Sequence, residues 1–174
     1  RSLAERKRTM RDREVVLIGA GGAARAVLVA LIQANCAQIT IINRTPANTM
    51  KLIRAYQPLG STKLVSASLN ALQDPALLKH AALIVNSIPV GLHNGTFPPL
   101  DYASTPSRCL FYDLVYQPQL TVFLQHAQHF QRPILDGRRM LLHQGALAFT
   151  HWTGHTAPLK IMSRALSQAL SISS

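Results

Sequence analysis

An α/β fold, a doubly wound parallel sheet of about six strands with helices on both faces, is predicted by three observations. Strand-sized apolar runs alternate with helical segments along the whole chain. The links between them are short, which favours parallel strands joined by right-handed crossovers. The first run, Val15-Val16-Leu17-Ile18, breaks into Gly19-Ala20-Gly21-Gly22-Ala23-Ala24 and restarts as an alanine-rich helix.

The elements follow in order. The first strand is read over about Val15–Ile18 and the first helix over Ala23–Gln33. Gln38–Ile42 is the second strand. Thr45-Pro46 then supplies an N-cap and a proline at the first helical position, opening a helix to about Tyr56. Lys63–Val65 is a short strand, and a small helix lies within Asn70–His80. Strands at Leu83–Asn86 and Leu110–Leu114, a helix at Thr121–Phe130 and a strand at Pro133–Leu135 come next. Gly137–His151 and Leu159–Leu170 read as closing helices. In such a sheet a ligand lies outside the carboxyl ends of the strands, where the strand order reverses.

With 174 residues, 48 % of them hydrophobic, the chain is long enough for one well-buried domain. Its apolar runs are too short and interrupted for a membrane-spanning helix. The basic N-terminus leads into no signal-peptide apolar region. Cys36 and Cys109 form no CxxC or Cys/His pattern, and the seven histidines lack ligand spacing, so no metal site is expected. A reducing, cytoplasmic setting is the expectation. The net charge is +11, and five cations lie in Arg6-Lys7-Arg8-Thr9-Met10-Arg11-Asp12-Arg13. A solvated helix or linker is the favoured reading of that run. Nucleic-acid contact is the weaker one, because no aromatic platform or recognition motif accompanies it. A basic domain also suits a phosphorylated ligand.

The glycine turn gives a Rossmann-type arrangement for a dinucleotide. Gly19 allows the tight turn, Gly21 a close backbone approach to a pyrophosphate, and Ala24 a close packing of helix on strand. A purely structural turn is the alternative. At the end of the second strand, where an NAD site presents Asp or Glu to the ribose, stand Asn43-Arg44-Thr45. An acidic residue would repel a 2′-phosphate, whereas Arg44 pairs with one, so the cofactor expected is NADP. Asn43-Arg44 as a mere turn is the alternative; Thr45 alone suffices to cap the next helix.

Further segments follow: Val85-Asn86-Ser87-Ile88-Pro89-Val90-Gly91-Leu92, Asp113-Leu114-Val115-Tyr116-Gln117-Pro118, Asp136-Gly137-Arg138-Arg139-Met140-Leu141-Leu142-His143-Gln144-Gly145-Ala146 and Phe149-Thr150-His151-Trp152-Thr153-Gly154. With the glycine turn and Asn43-Arg44-Thr45, and in this order, they resemble the cofactor-binding C-terminal half of the shikimate/quinate 5-dehydrogenase family. The resemblance runs over about Val15–Pro158.

The resemblance implies roles. Gly19, Ala20, Gly21, Gly22 and Ala23 would hold the pyrophosphate, and Asn43, Arg44 and Thr45 the adenosine phosphate. The Asn86–Gly91 loop, with Ser87, would line the cleft beside the ribose. Leu114, Gly137 and Met140 would enclose the nicotinamide, as two apolar walls and a backbone carbonyl. Tyr116 and Gln144 would hydrogen-bond the substrate, donating without adding charge. On the residues alone, Leu114 and Met140 also read as core, Tyr116 as a turn residue and Gln144 as an exposed helix residue. Asp113 and Asp136 read as caps of backbone amides and not as catalytic bases.

Two departures stand out. Asn48 occupies the place where the family carries a second cationic phosphate clamp, so Lys51 or Arg54 would have to reach back. Ile88 replaces a small residue. The family's catalytic Lys and Asp belong to a separate N-terminal domain, so no catalytic residue is expected in this chain. None of Lys7, Lys51, Lys63, Lys79 and Lys160 has a comparable context.

Residues 1–14 are therefore read as part of an interdomain helix or linker, and 15–174 as the NADP-binding domain with its C-terminal helices. The intact enzyme would reduce 3-dehydroshikimate to shikimate with NADPH, in aromatic amino acid biosynthesis; this piece alone would be inactive. The alternatives are a stand-alone nucleotide-binding or regulatory module, or a quinate/shikimate dehydrogenase with relaxed NAD/NADP use. A homodimer stays open.

Overall fold

The computed structural model describes residues 8–89, 96–117 and 119–172. Arg6 and Lys7 of the basic run, Val90, Gly91, Leu92 and Pro118 lie outside the described residues. Six strands, β1 (Glu14–Ile18), β2 (Gln38–Ile42), β3 (Lys63–Ala67), β4 (Ala81–Asn86), β5 (Leu110–Asp113) and β6 (Ile134–Leu135), form one sheet in the order β3-β2-β1-β4-β5-β6. Every adjacent pair is parallel. The helices are α1 (Gly22–Gln33), α2 (Pro46–Tyr56), α3 (Pro75–Leu78), α4 (Val122–His129), α5 (Arg138–Thr153) and α6 (Leu159–Ile172).

Strand alternation sorts the core into two layers. Val15, Leu17, Ile39, Ile41, Leu83 and Val85 face one side, where Leu28 and Leu31 of α1 and Leu52 of α2 cover them. Val16, Ile18, Ile42 and Ile84 face the other, against Leu78, Phe123 and Leu124. Burying one such side chain contributes about 1.5–3 kcal/mol. This is the two-sided cover that the continuous apolar strands called for.

The boundaries shift for local reasons. The small helix expected within 70–80 is two pieces, a 3-10 turn at Leu69–Gln73 and α3. Asp74 restarts the chain by accepting from the Ala76 amide at 2.8 Å, with Pro75 at the first helical position. β6 is only Ile134–Leu135, because Pro133 has no amide to donate; its carbonyl still accepts from Phe111 N at 2.9 Å.

The basic run is not helical where it is described. Residues 8–13 form an irregular segment with a turn at residues 11–12, where Asp12 has φ 57°. Met10 is buried and Arg8 Nη1 donates to the Arg108 carbonyl at 2.8 Å, so the segment is anchored to the domain. At the other end α6 packs on α5 with Met162 beside Gly145, leaving Trp152 and Ile161 exposed. Among the described residues, no helix is long and apolar enough to cross a membrane.

From β1 the chain moves outward to β2 and β3, then returns past β1 to β4 and outward again. That reversal opens a crevice at the carboxyl ends of β1 and β4. Ile18 pairs with Ile42 on one side and Asn86 on the other, so Gly19, Asn43 and Ser87 leave the sheet side by side.

Candidate functional site

The glycine turn is built at this reversal. Gly19 has φ +112°, and its amide donates to the Ile42 carbonyl at 2.7 Å. A β-carbon on Gly19 would lie 2.3 Å from Ser87 Oγ, so the close fit and the dihedral both require glycine. Gly21 is the N-cap of α1, with no side-chain cap and no acidic residue in the first turn. The amides of the first turn have no intrahelical acceptor. A β-carbon added at Gly21 or Gly22 would meet nothing within 4 Å, and Gly21, Gly22 and Ala23 are exposed. Ala20 is half-buried and Ala24 fully buried against the sheet. The result is an open, electropositive helix end with room for an anionic group, which fits a pyrophosphate.

Beside it, β2 ends in half-buried Asn43 and exposed Arg44, Thr45 and Asn48. Asn43 Nδ2 donates to the Thr45 carbonyl at 3.1 Å, as does the Asn48 amide. Thr45 occupies the N-cap of α2, but its hydroxyl makes no cap bond, contrary to the capping role read from the sequence. Thr49 instead ties the helix start, donating to the Pro46 carbonyl at 2.7 Å and sharing a hydrogen bond with Ser66. Among the described residues Arg44 has no carboxylate partner, whereas Arg138 pairs with Asp136.

On the β4 side, Ser87 donates twice to the Ile18 carbonyl, from its amide at 2.9 Å and its hydroxyl at 2.6 Å. Its hydroxyl proton is therefore committed to closing the end of β1. Asn86 and Asp113, paired in register at the ends of β4 and β5, are both fully buried. Asn86 Nδ2 donates to Asp113 Oδ1 at 3.0 Å and to the Ile88 carbonyl at 3.3 Å, while its Oδ1 accepts from Ile88 N at 3.1 Å. Asp113 also accepts from Val115 N at 3.0 Å and from Thr121 Oγ1 at 2.6 Å. Sequence reasoning saw Asp113 only as a cap of a following amide. The missed signal was polar residues at the ends of two adjacent strands.

Burial pushes the Asp113 carboxyl above the ordinary range, opposed by hydrogen bonds from Thr121, Val115 and Asn86, with a smaller repulsion from Asp136. A raised folded-state value means the folded form holds its proton longer than the unfolded chain. The associated stabilisation is complete below the unfolded value, about 4, and is lost as pH rises through the folded value. Asparagine does not titrate. The melting temperature of Asp113→Asn minus that of the parent should therefore grow as pH rises from about 4; a flat or falling difference in a pH series of melts refutes the shift.

At the far wall, Gly137 is the buried N-cap of α5. A β-carbon on it would lie 2.3 Å from the Leu114 carbonyl oxygen, so the start of α5 is pressed against the end of β5. The Gly137 carbonyl already accepts from Leu141 N at 3.0 Å and keeps one lone pair. Asp136 caps α5 through Arg138 N at 3.2 Å and Nε at 2.6 Å. Leu114 is buried and Met140 half-buried against the core. Met140, Gln144 and Ala23 share one groove of about 1080 Å³, floored by Leu83, Val85 and Tyr112. Tyr116, 41 % exposed, is not part of its lining. Burial pushes the thiol of Cys36 up to about 11 and that of Cys109 up to about 12, which keeps both inert.

The "Shikimate / quinate 5-dehydrogenase" family matches residues 2–89, and "Shikimate 5'-dehydrogenase C-terminal domain" matches residues 137–166. The shikimate dehydrogenase (NADP(+)) of Magnetococcus marinus is 40 % identical over 154 residues, covering 88 % of this chain and 53 % of that protein. Among solved structures, shikimate 5-dehydrogenase from Thermus thermophilus in complex with NADP(H) and shikimate aligns with TM-score 0.77 and 33 % identity, over 97 % of this chain and 59 % of that one. The Listeria monocytogenes shikimate 5-dehydrogenase in complex with shikimate and NAD aligns with TM-score 0.86 at 24 % identity, over 95 % and 59 %. The chain thus spans little more than half the length of these relatives.

Proposed function

Since this chain belongs to the shikimate/quinate 5-dehydrogenase family, we propose that it is the NADP-holding part of an enzyme interconverting 3-dehydroshikimate and shikimate. The observation that carries the reading is the pairing of an open α1 N-terminus with Arg44, free of any acidic neighbour in its turn, at the end of the adjacent strand. The chemistry supplied by NADPH in such a site is reversible hydride transfer to the ketone carbon of the substrate.

Gly21, Gly22 and Ala23 present first-turn amides to the pyrophosphate, and Gly19 holds the turn with Ala20 behind it. Arg44 takes the 2′-phosphate through its guanidinium fork, with Asn43, Thr45 and Asn48 as neutral donors around it. Ser87, its proton committed to Ile18, offers a lone pair to the ribose. Leu114 and Met140 exclude water from the nicotinamide face, and Gly137 presents its carbonyl. Tyr116 and Gln144 orient the substrate by hydrogen bonds. The general acid comes from elsewhere in the intact protein, as the family resemblance implies, and residues 15–174 are the cofactor domain. A cytoplasmic location suits this metabolic role.

The test is titration of the parent chain and Arg44→Ala with NADP+ and NAD+. A charge-assisted contact contributes about 1.5–3 kcal/mol, and exposure of Arg44 puts it at the low end. The expected loss is about tenfold for NADP+, with NAD+ affinity unchanged. Equal losses for both dinucleotides, or none for either, refute the phosphate-clamp role.

A further inference from the structure

The ends of β1 and β2 are joined through the main chain, by Gly19 N to the Ile42 carbonyl. The ends of β4 and β5 are joined in addition through side chains, and Asp113 is the centre of that junction. Its Oδ1 accepts from Asn86 Nδ2 and Val115 N, and its Oδ2 from Thr121 Oγ1. Asn86 in turn grips Ile88 through both its amide atoms. A buried carboxyl group facing only neutral donors costs stability, and an apolar residue of similar size often serves packing better. What it supplies here is orientation: one side chain sets the path of the loop after β4, the loop after β5 and the start of α4.

We propose that Asp113 is a positioning residue that couples the 86–89 loop to the 114–116 loop, so that the two walls of the crevice are held in one arrangement for the dinucleotide. The coupling runs from Ile88 through Asn86 and Asp113 to Val115, and Thr121, the N-cap of α4, anchors it through Asp113 Oδ2. It rests on the reading of the crevice as an NADP(H) site.

The experiment follows the backbone amide signals of Ile88 and Val115 in the ligand-free chain, together with NADP+ affinity. Asp113→Ala should move both signals together and weaken NADP+ binding about tenfold. Asp113→Asn should bring the signals back and restore affinity to within about threefold of the parent, because its amide oxygen accepts from Asn86 and Val115 while its NH2 donates to the Thr121 hydroxyl. Arg132→Met serves as the stability control. Arg132 pins the Phe130 and Thr105 carbonyls, each at 2.8 Å, at the opposite end of α4. It should lower the melting temperature and leave NADP+ affinity as it was.

Parent-like affinity in Asp113→Ala, or movement of the Val115 signal with Ile88 unmoved, overturns the coupling. So does a failure of Asp113→Asn to rescue. Where Asp113→Ala does not fold, Thr121→Val removes a single donor; it should shift both signals and weaken binding about threefold, and no shift at either amide overturns the proposal. If the parent chain itself does not bind NADP+, the dinucleotide reading falls, while the ligand-free signals still decide the coupling.

Discussion

Gly137→Ala is expected to lower stability by about 3 kcal/mol, the upper end of the usual cost of overpacking. The added β-carbon would lie 2.3 Å from the Leu114 carbonyl oxygen and 2.8 Å from its carbonyl carbon. Both are backbone atoms at the end of β5, so no rotamer change relieves the contact. Either the start of α5 moves away from the sheet or the 114–116 loop moves away from β4. Both movements displace Leu114 and Met140, so NADP+ affinity should fall with stability. Urea unfolding of parent and variant gives the first quantity and titration the second. Gly145→Ala is the informative contrast. There the added carbon would approach the Met162 methyl at 3.2 Å, a flexible tip. Mid-helix alanine is favoured over glycine by about 0.5–1 kcal/mol, so that variant should be neutral or stabilised.

Gly19→Ala should cost about 2–4 kcal/mol through two separable causes. The first is a backbone φ of +112°, which an L side chain tolerates poorly. The second is contact, with Ser87 Oγ at 2.3 Å and Ile88 Cγ2 at 3.1 Å from the new carbon. Moving Ser87 aside would break its hydroxyl bond to the Ile18 carbonyl. Adding Ser87→Ala removes the clashing oxygen and leaves the dihedral strain. The double variant should therefore recover part of the loss, and a double-mutant cycle should show positive coupling between the sites. Full recovery would mean that the dihedral carries no strain; no recovery would mean that the contact carries none.

What the sequence made legible was whatever local chemistry writes. Pro46 and the run to Tyr56 gave α2 its observed bounds, because a proline at the first helical position and a following apolar periodicity are local signals. The glycine turn announced the reversal at β1, since only a strand on one side and a helix on the other make sense of Gly19–Ala24. Boundaries failed where one residue decides. Pro133 shortened β6, and Asp74-Pro75 broke the small helix into two pieces. The Thr45 cap failed differently: the residue type suited the place, but the backbone left its hydroxyl without a cap bond.

The site was less legible, because its decisive contacts are long-range. Asp113 finds Asn86 across 27 positions, and only the β4–β5 register puts the two together. Gly137 was read for its carbonyl, whereas its lack of a side chain is what lets α5 meet Leu114. Gln144 and Met140 fall on one groove with Ala23, a juxtaposition that needs α1 and α5 to be neighbours over β4 and β5. The basic run reads as a solvated helix or linker; buried Met10 and the Arg8 bond to Arg108 instead tie its described residues to the domain edge.

Amide-resolved titration of the isotope-labelled chain with NADP+ tests the central claim most directly. One saturable site should perturb the Gly19–Ala24, Arg44, Thr45, Asn48, Leu114, Gly137 and Met140 amides, with a single affinity shared by all. Perturbation confined to the Arg8–Arg13 segment or the exposed face of α6, or no saturable change at any of these amides, would contradict it.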